Sequence, residues 1–215
     1  MVHYITKSFL PLVVLAVLSV SGCSDDYFAD GGVSPENAGV FEGSTLEYLE
    51  SHPETFDTLA TLIRLCGLEN AINQEGNTFL APKDYSIHNY FKLKFAELDA
   101  WPASLSDIGA EDLTEIGQTI KNYIIPDRKI IRSDLQTSYS YIPTYGGGKA
   151  RFNLVREDYL GNVNMGAQAI VFSLNVAEEG QKEQYQSVRV VVSDLQSANG
   201  VIQVLDSDTH IFGFN

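Results

Sequence analysis

The rest of this chain can be arranged around one segment, Gly76-Asn77-Thr78-Phe79-Leu80-Ala81-Pro82-Lys83-Asp84-Tyr85. Its apolar and β-preferring residues predict a short buried strand, with Phe79 in the core. Pro82 has no amide hydrogen to donate to a neighbouring strand, so the strand must end there. The carboxylate of Asp84 can accept hydrogen bonds from the free amides that open a helix. The segment therefore predicts a strand that turns directly into a helix.

Two helices are predicted upstream of this segment. Ser44 and Glu47 have the spacing of a capping box, so a helix should begin there. A second helix is expected over residues 54–66, because apolar residues recur at helical spacing on one face. These residues are Phe56, Leu59, Ile63 and Cys66. Cys66 is therefore expected to act as a small hydrophobic side chain on the buried face.

Two more helices are predicted downstream, one over residues 84–93 and one from about Ala110. The second carries a row of apolar residues at helical spacing: Leu113, Ile116, Ile120 and Tyr123. The sequence Ile124-Ile125-Pro126-Asp127 should end this helix. Residues 129–131 are expected to form a short strand, and Ser193-Asp194 is expected to cap one helical turn.

The last third of the chain is rich in β-branched and aromatic residues, which predicts strands. The predicted strands are residues 139–145, 150–155, 167–176, 188–192 and 201–205. Gly146-Gly147-Gly148 separates the first two strands and is typical of a hairpin turn. Because helices come first and strands cluster later, the chain is predicted to be an α+β protein with a mostly antiparallel sheet.

Length and composition limit the number of domains in the chain and the kinds of partner it can bind. The chain has 215 residues, which fits one domain with a tail better than two domains. It has 28 acidic and 14 basic residues, so nucleic acid is not an expected partner. The acidity indicates a soluble, self-repelling surface, with a cation or a basic partner protein as the alternative. Two cysteines do not make a disulfide framework.

The N-terminus predicts a secretory signal peptide over residues 1–22, because Lys7 precedes an apolar run that ends in small residues. The run is too short to span a membrane. Val20-Ser21-Gly22-Cys23, preceded by Leu18, resembles a bacterial lipobox. That resemblance implies cleavage before Cys23 and lipidation of its thiol, which would anchor the protein to a membrane. The alternative is an ordinary signal peptide with a cysteine beside its cleavage site.

Residues 23–43 are predicted to be a flexible tether, since they contain breakers such as Gly31-Gly32 and show no helical or strand period. Ser24 after the cysteine resembles outer-membrane lipoproteins. Asp25-Asp26 resembles the surface-export signals of lipoproteins from the Bacteroidetes group. The expected location is therefore the outer membrane, with the protein exposed at the cell surface.

Residues 44–215 resemble a fasciclin-like domain through three blocks in the right order. The first is the segment quoted above, the second is Tyr123-Ile124-Ile125-Pro126-Asp127-Arg128, and the third is Asn199-Gly200-Val201-Ile202-Gln203-Val204-Leu205-Asp206. The histidines usual in the second and third blocks are replaced here by Tyr123 and Gln203. Roles that the family gives those histidines are therefore not carried over.

The resemblance implies a β-sandwich wedged by helices and a non-enzymatic surface module that needs no cofactor. The expected function is adhesion, or binding of an extracellular protein or glycan, by a lipid-anchored domain. One alternative is a glycan-capture lipoprotein that serves a nutrient-uptake complex. Another is a hydrolase that uses acids of the C-terminal sheet.

The segment over residues 139–187 is longer than expected between the second and third blocks, and it supplies the candidate ligand-binding residues. These are Tyr139, Tyr141 and Tyr145, which could form a binding surface if exposed. The alternative is that they alternate in and out of a packed strand.

Two sets of acids and histidines are possible sites, and no metal site or catalytic residue is expected from either. Asp84 and His88 stand four apart on a predicted helix and could be a metal or acid–base pair, or a cap and a packed histidine. Asp206, Asp208 and His210 alternate and could gather a cation, or be solvated acids.

Overall fold

A computed structural model describes residues 39–96, 102–156, 160, 163 and 166–214 of the chain. The predicted signal peptide, the predicted lipidation site Cys23 and the tether as far as residue 38 lie outside these ranges. Those three expectations stay predictions.

Five α-helices lie in the described part of the chain. They are α1 (Thr45–Glu50), α2 (Pro53–Leu65), α3 (Glu69–Ile72), α4 (Asp84–Lys94) and α5 (Ala110–Lys121). The capping box is confirmed, since the Ser44 side chain accepts from the Glu47 amide and the Glu47 side chain accepts from the Ser44 amide. Pro53 occupies the first turn of α2, where its missing amide hydrogen costs nothing.

Cys66 lies just after α2 and is half-buried rather than fully enclosed. Its thiol packs against the core and donates to the carbonyl of Leu113 over 3.4 Å. Burial raises the pKa of this thiol, so the protonated form is favoured. The cysteine therefore behaves as the small hydrophobic side chain that the helical spacing predicts.

In the described ranges, seven strands form one hydrogen-bonded sheet. They are β1 (Asn77–Ala81), β2 (Ile124–Ile125), β3 (Ser140–Pro143), β4 (Lys149–Arg156), β5 (Gln168–Asn175), β6 (Tyr185–Gln196) and β7 (Gly200–Leu205). Their order across the sheet is β2-β1-β7-β6-β5-β4-β3. Every neighbouring pair is antiparallel except β1 and β7, which are parallel. The predicted α+β class with a mostly antiparallel sheet is confirmed.

The sheet folds over onto itself around the core. Strands β2 and β5 are four positions apart in the sheet, which would be about 19 Å if it were flat. The ring of Tyr123, directly before β2, nevertheless lies 6.2 Å from the ring of Phe172 in β5. The register shifts of β6 against β7 provide the irregularity at which such a sheet can bend. The two halves of the sheet therefore share one core, as in a sandwich.

Strand β1 is buried along its whole length between β2 and β7. Phe79 is 2% exposed, which confirms it as a core residue. The side chain of Asn77 donates to the carbonyl of Ala71 and accepts from the amide of Asp127. The hydroxyl of Thr78 donates to the carbonyl of Arg128 and accepts from the amide of Ile130, both over 2.7 Å. The side chains of Asn77 and Thr78 therefore bind the backbone of residues 127–130, which follow β2.

The prediction that Asp84 caps the helix it begins, α4, is wrong. The N-cap of α4 is Lys83, and no side chain caps it. The two carboxylate oxygens of Asp84 instead accept from the amides of Thr58 and Leu59 in α2, over 2.9 and 3.0 Å. Asp84 therefore joins two helices rather than capping its own.

Two short elements were also predicted wrongly. Residues 129–131 do not form a strand, because the amide of Ile130 donates to Thr78 and its carbonyl accepts from the Gln203 side chain. Ile124–Ile125 pairs with β1 instead. Ser193-Asp194 does not start a helical turn but lies within β6, where Asp194 has a φ of 63° at a register shift.

The folded part of the chain begins before Ser44. The amide of Phe41 donates to the carbonyl of Gln196 over 2.7 Å, and the amide of Gln196 donates to the carbonyl of Gly39 over 2.6 Å. Residues 39–43, which the tether prediction includes, thus extend along the end of β6.

Candidate functional site

The candidate site lies on and beside β3. Tyr141, one of the predicted ligand-binding tyrosines, is in this strand, and Tyr139 directly precedes it. Among the described residues β3 pairs only with β4, so it is an edge of the sheet. Tyr139 and Tyr141 are 49% and 62% exposed, whereas Ile142, the residue of β3 after Tyr141, is buried. The two rings lie side by side, with centroids 6.3 Å apart. The strand therefore alternates, and its tyrosines point outward rather than into the core.

Arg151 holds the tyrosines together from the next strand. It stands opposite Tyr141 in the register of β3 and β4. Its guanidinium carbon lies 3.9 Å from the ring centroid of Tyr139 and 4.0 Å from that of Tyr185 in β6. Such cation–π contacts fix the positions of both rings. We call Tyr139, Tyr141, Tyr185 and Arg151 the tyrosine cluster.

A small pocket of about 280 Å³ opens beside the tyrosine cluster. Tyr141 and Tyr185 line one part of it, with ring centroids 6.2 Å apart and planes at 70°. The Nζ of Lys149 and the Oε1 of Glu183 line another part and are 2.6 Å apart. The hydroxyl of Tyr185 also donates to Oε2 of Glu183, over 3.1 Å. The pocket thus combines aromatic surface with a donor and an acceptor.

Lys149 and Glu183, the two charged groups of this pocket, are both ionised at neutral pH. The hydrogen bond from Lys149 lowers the pKa of Glu183, and the same bond raises the pKa of Lys149. Burial, followed by the hydrogen bond to Glu183, raises the pKa of Tyr185, so its hydroxyl stays protonated. The ion pair carries no net charge, since one positive and one negative group face each other.

The structure brings together two of the three predicted tyrosines. Tyr145 is 45% exposed but makes no ring contact with Tyr139 or Tyr141 in the described part of the chain. Its amide instead donates to the carbonyl of Ile124 over 2.8 Å. Sequence reasoning missed Tyr185, since β6 begins three residues before the predicted strand. The outward position of Arg151 was available from strand alternation alone.

The turn between β3 and β4 is anchored to the end of α5. The hydroxyl of Thr144 donates to Oδ1 of Asn122 over 2.8 Å, and the amide of Gly146 donates to the carbonyl of Lys121. A Cβ atom on Gly146 would lie only 2.5 Å from Oδ1 of Asn122. Glycine is therefore required at this close approach, and the hairpin is held in place at its tip.

Asp84 and His88 do not form an acid–base pair. The carboxylate of Asp84 is occupied by the amides of α2, and burial raises its pKa. The Nε2 atom of His88 lies 3.0 Å from the hydroxyl of Thr58. No hydrogen bond joins the two side chains within the described ranges. His88 also lines a second cavity of about 520 Å³, which Phe91 and Leu105 share.

The three alternating residues at the C-terminus have separate surroundings. Strand β7 ends at Leu205, and Asp206 accepts from the amide of Asp208 and the hydroxyl of Thr209. His210 is only 4% exposed and points into the core. No group of three or more metal-binding side chains is arranged for a metal ion in the residues that the structure describes.

Tyr123 stands at one of the positions where the family pattern usually has histidine, and it is fully buried. Its hydroxyl lies 2.9 Å from Nε2 of His210 and accepts from the amide of Gly213 over 2.8 Å. Its ring stacks on Phe212 and Phe214. Burial raises the pKa of Tyr123 and lowers that of His210 to about 4, so both groups are neutral.

Gln203 stands at the other such position and is also fully buried. Its side-chain amide donates to the carbonyl of Ile130 over 2.7 Å and accepts from the amide of Asp194 over 3.0 Å. The side chain therefore joins the bulge of β6 to the chain after β2. Its contacts are structural.

None of the helices within the described ranges has both the length and the apolar character to cross a membrane.

The three sequence blocks meet as three adjacent strands, because β2 and β7 lie on either side of β1. This arrangement is that of an α+β domain with a mostly antiparallel sheet. A comparison with family models matches residues 54–207 to the Fasciclin domain, and the chain therefore belongs to the fasciclin family. The resemblance read from the three blocks is confirmed.

A search of curated proteins finds no match. Among solved structures the chain is similar to a FAS1 domain pair from the insect cell adhesion molecule fasciclin I, with 14% sequence identity and a TM-score of 0.43. The alignment covers 80% of this chain and 46% of that one, so this chain spans about half the length of the domain pair.

Proposed function

We propose that this protein is a lipid-anchored fasciclin module that mediates adhesion at the bacterial cell surface by binding an extracellular protein or glycan. The observation that carries the proposal is the tyrosine cluster at the sheet edge of an adhesion-type domain. Tyrosine and arginine are enriched where proteins meet their partners, because both offer large contact area together with hydrogen bonding. Rings that already hold fixed positions lose little freedom on binding.

The anchor is proposed on the N-terminal sequence. An apolar run followed by Val20-Ser21-Gly22-Cys23 supports cleavage before Cys23 and its lipidation. More than one acyl chain would hold the protein stably on a bilayer. Ser24 and the acidic pair that follows it support an outer-membrane, surface-exposed location.

A second candidate is a glycan-capture accessory lipoprotein of a nutrient-uptake complex. The pocket beside Tyr141 and Tyr185 favours it, because aromatic walls with a few convergent polar groups are typical of small-ligand sites. In either role we propose binding without catalysis. Asp206, one of the acids that the hydrolase alternative would use, instead accepts hydrogen bonds within its own turn.

Metabolic labelling with radioactive palmitate tests the anchor. The wild-type chain should take up label and fractionate with membranes, and Cys23→Ala should take up none. Cys66→Ala is the matched control, because it removes the other cysteine and should label normally. Equal labelling of Cys23→Ala would contradict lipidation at this residue.

Adhesion is tested on intact cells that express the full chain. Protease treatment should release the domain if it is displayed outside. Tyr141→Ala should reduce cell attachment to matrix-coated surfaces, and Tyr145→Ala, which changes an exposed tyrosine outside the cluster, should not. Unchanged attachment by Tyr141→Ala would remove the tyrosine cluster from the proposed role.

A further inference from the structure

We propose that the pocket between Tyr141 and Tyr185 binds one neutral hexopyranose ring of a polysaccharide. The inference deepens the proposed function, and it rests on a binding role for the tyrosine cluster. Tyr141 and Tyr185 supply the stacking surface, and Lys149 and Glu183 supply the hydrogen-bonding groups.

The size and lining of the pocket match one sugar ring. Its volume of about 280 Å³ lies near the lower end of small-ligand sites, which are roughly 300–1,000 Å³. A pyranose has a face of C–H groups that suits contact with an aromatic ring, and a rim of hydroxyls. Tyr141 is 62% exposed and stands nearly perpendicular to Tyr185, so its ring offers a face to such a ligand.

The hydroxyls of the sugar find both kinds of partner in the Lys149–Glu183 pair. The ammonium group of Lys149 can donate to a hydroxyl oxygen, and the carboxylate of Glu183 can accept from a neighbouring hydroxyl. Charged partners make these hydrogen bonds stronger than those between neutral groups. Both side chains line the pocket beside each other, so one ligand can reach both of them.

Arg151 is a positioning residue for this site. Its guanidinium lies between the rings of Tyr139 and Tyr185, and its Nε is buried without a hydrogen-bond partner among the described residues. Contacts with the rings of Tyr139 and Tyr185 therefore explain the position of the Arg151 side chain. Across the strand pair, Tyr141 stands opposite Arg151 and Pro143 stands opposite Lys149, so one hairpin carries most of the pocket.

Electrostatics favour a neutral polysaccharide over an acidic one. The chain has a formal net charge of −14, and its field opposes the approach of a polyanion. Within the pocket, the charges of Lys149 and Glu183 cancel. A neutral sugar therefore encounters both hydrogen-bonding groups without long-range repulsion.

Affinity electrophoresis of the purified full chain in detergent tests the site. The probes are soluble starch, mixed-linkage β-glucan and galactomannan as neutral polysaccharides, with polygalacturonate and alginate as acidic ones. We expect at least one neutral polymer to retard the wild-type chain. Tyr141→Ala and Glu183→Gln should each weaken that retardation about tenfold, as loss of one stacked ring or one charge-assisted hydrogen bond does.

Tyr145→Ala is the matched control and should bind as the wild type does. Arg151→Lys keeps the positive charge but loses the planar group between the rings, so it should weaken binding while the melting temperature changes little. Thermal melts of each variant separate loss of the site from loss of the fold.

Three outcomes would overturn the inference: no neutral polymer binds, only the acidic polymers bind, or Tyr141→Ala binds as the wild type does. These outcomes leave the proposed anchor and surface display untouched, since binding is measured on the purified chain and palmitate labelling is measured in cells. Failure of the labelling experiment would likewise leave the sugar site standing.

Discussion

Tyr123 and Gln203 show how polar side chains are accommodated in the core of this fold. Both stand where the sequence resemblance implies histidine, and both are fully buried in hydrogen-bond networks. The nearby His210 comes from outside the blocks and bonds to the hydroxyl of Tyr123. This protein therefore has one buried imidazole in the same region, contributed by the C-terminal segment.

His210 makes the stability of the fold depend on pH. Burial lowers its pKa from 6.5 to about 4, against a smaller opposing effect of Asp206. Below pH 6.5 the unfolded chain binds a proton that the folded chain excludes, so folding loses stability until about pH 4. The full effect is about 3 kcal/mol. Urea unfolding between pH 7 and pH 4 should show this loss of free energy.

The variant His210→Asn keeps a polar side chain but cannot titrate, so its unfolding free energy should fall less over the same range. Val191→Ala is the control, because it changes an exposed residue that carries no titratable group, and it should retain the wild-type slope. An identical slope in His210→Asn would show that the buried imidazole is not responsible.

Among the elements, helices α2 and α4 are joined by one carboxylate. Asp84 accepts from two amides of α2, and burial makes these bonds costly to lose. Asp84→Ala should therefore lower the free energy of unfolding by about 2 kcal/mol. Asp57→Ala, at an exposed acid on α2, should change it by less than about 0.5 kcal/mol. Equal effects of the two substitutions in urea unfolding would contradict this link.

The elements also show how far the sequence could be taken. Local signals were sufficient for the capping box at Ser44, for β1 ending before Pro82, and for the hairpin turn at Gly146. The partner of Asp84 lies 26 residues upstream, and no local rule selects it. The chain at Ile130 has strand-like residues but satisfies its backbone through the side chains of Thr78 and Gln203.

The candidate site was also predictable only where local sequence signals were sufficient. The exposed tyrosines of β3 follow from strand alternation, which needs only the sequence of that strand. The contacts of Arg151 with Tyr139 and Tyr185 join three different strands of the sheet. Such contacts depend on register and strand order, which the sequence leaves open.

In the whole molecule, strand β7 connects the two halves of the sheet. It lies between β1 and β6, and all six of its residues are buried. A chain that ends at residue 198 should therefore lose cooperative thermal unfolding altogether, even though β1 and the helices remain in its sequence. Adding back a peptide of residues 199–215 should restore a transition if the fragments assemble. A sharp melt of the shortened chain alone would contradict the central role of β7.

The position of β7 also sets the order in which the sheet can form. Strands β3 to β6 follow one another in the chain and pair with their sequence neighbours, so they can form early in folding. Strand β1 pairs with a strand that begins at Gly200, and bringing the two together closes a long loop. The N-terminal helices and β1 can therefore join the rest of the sheet only after that slower step.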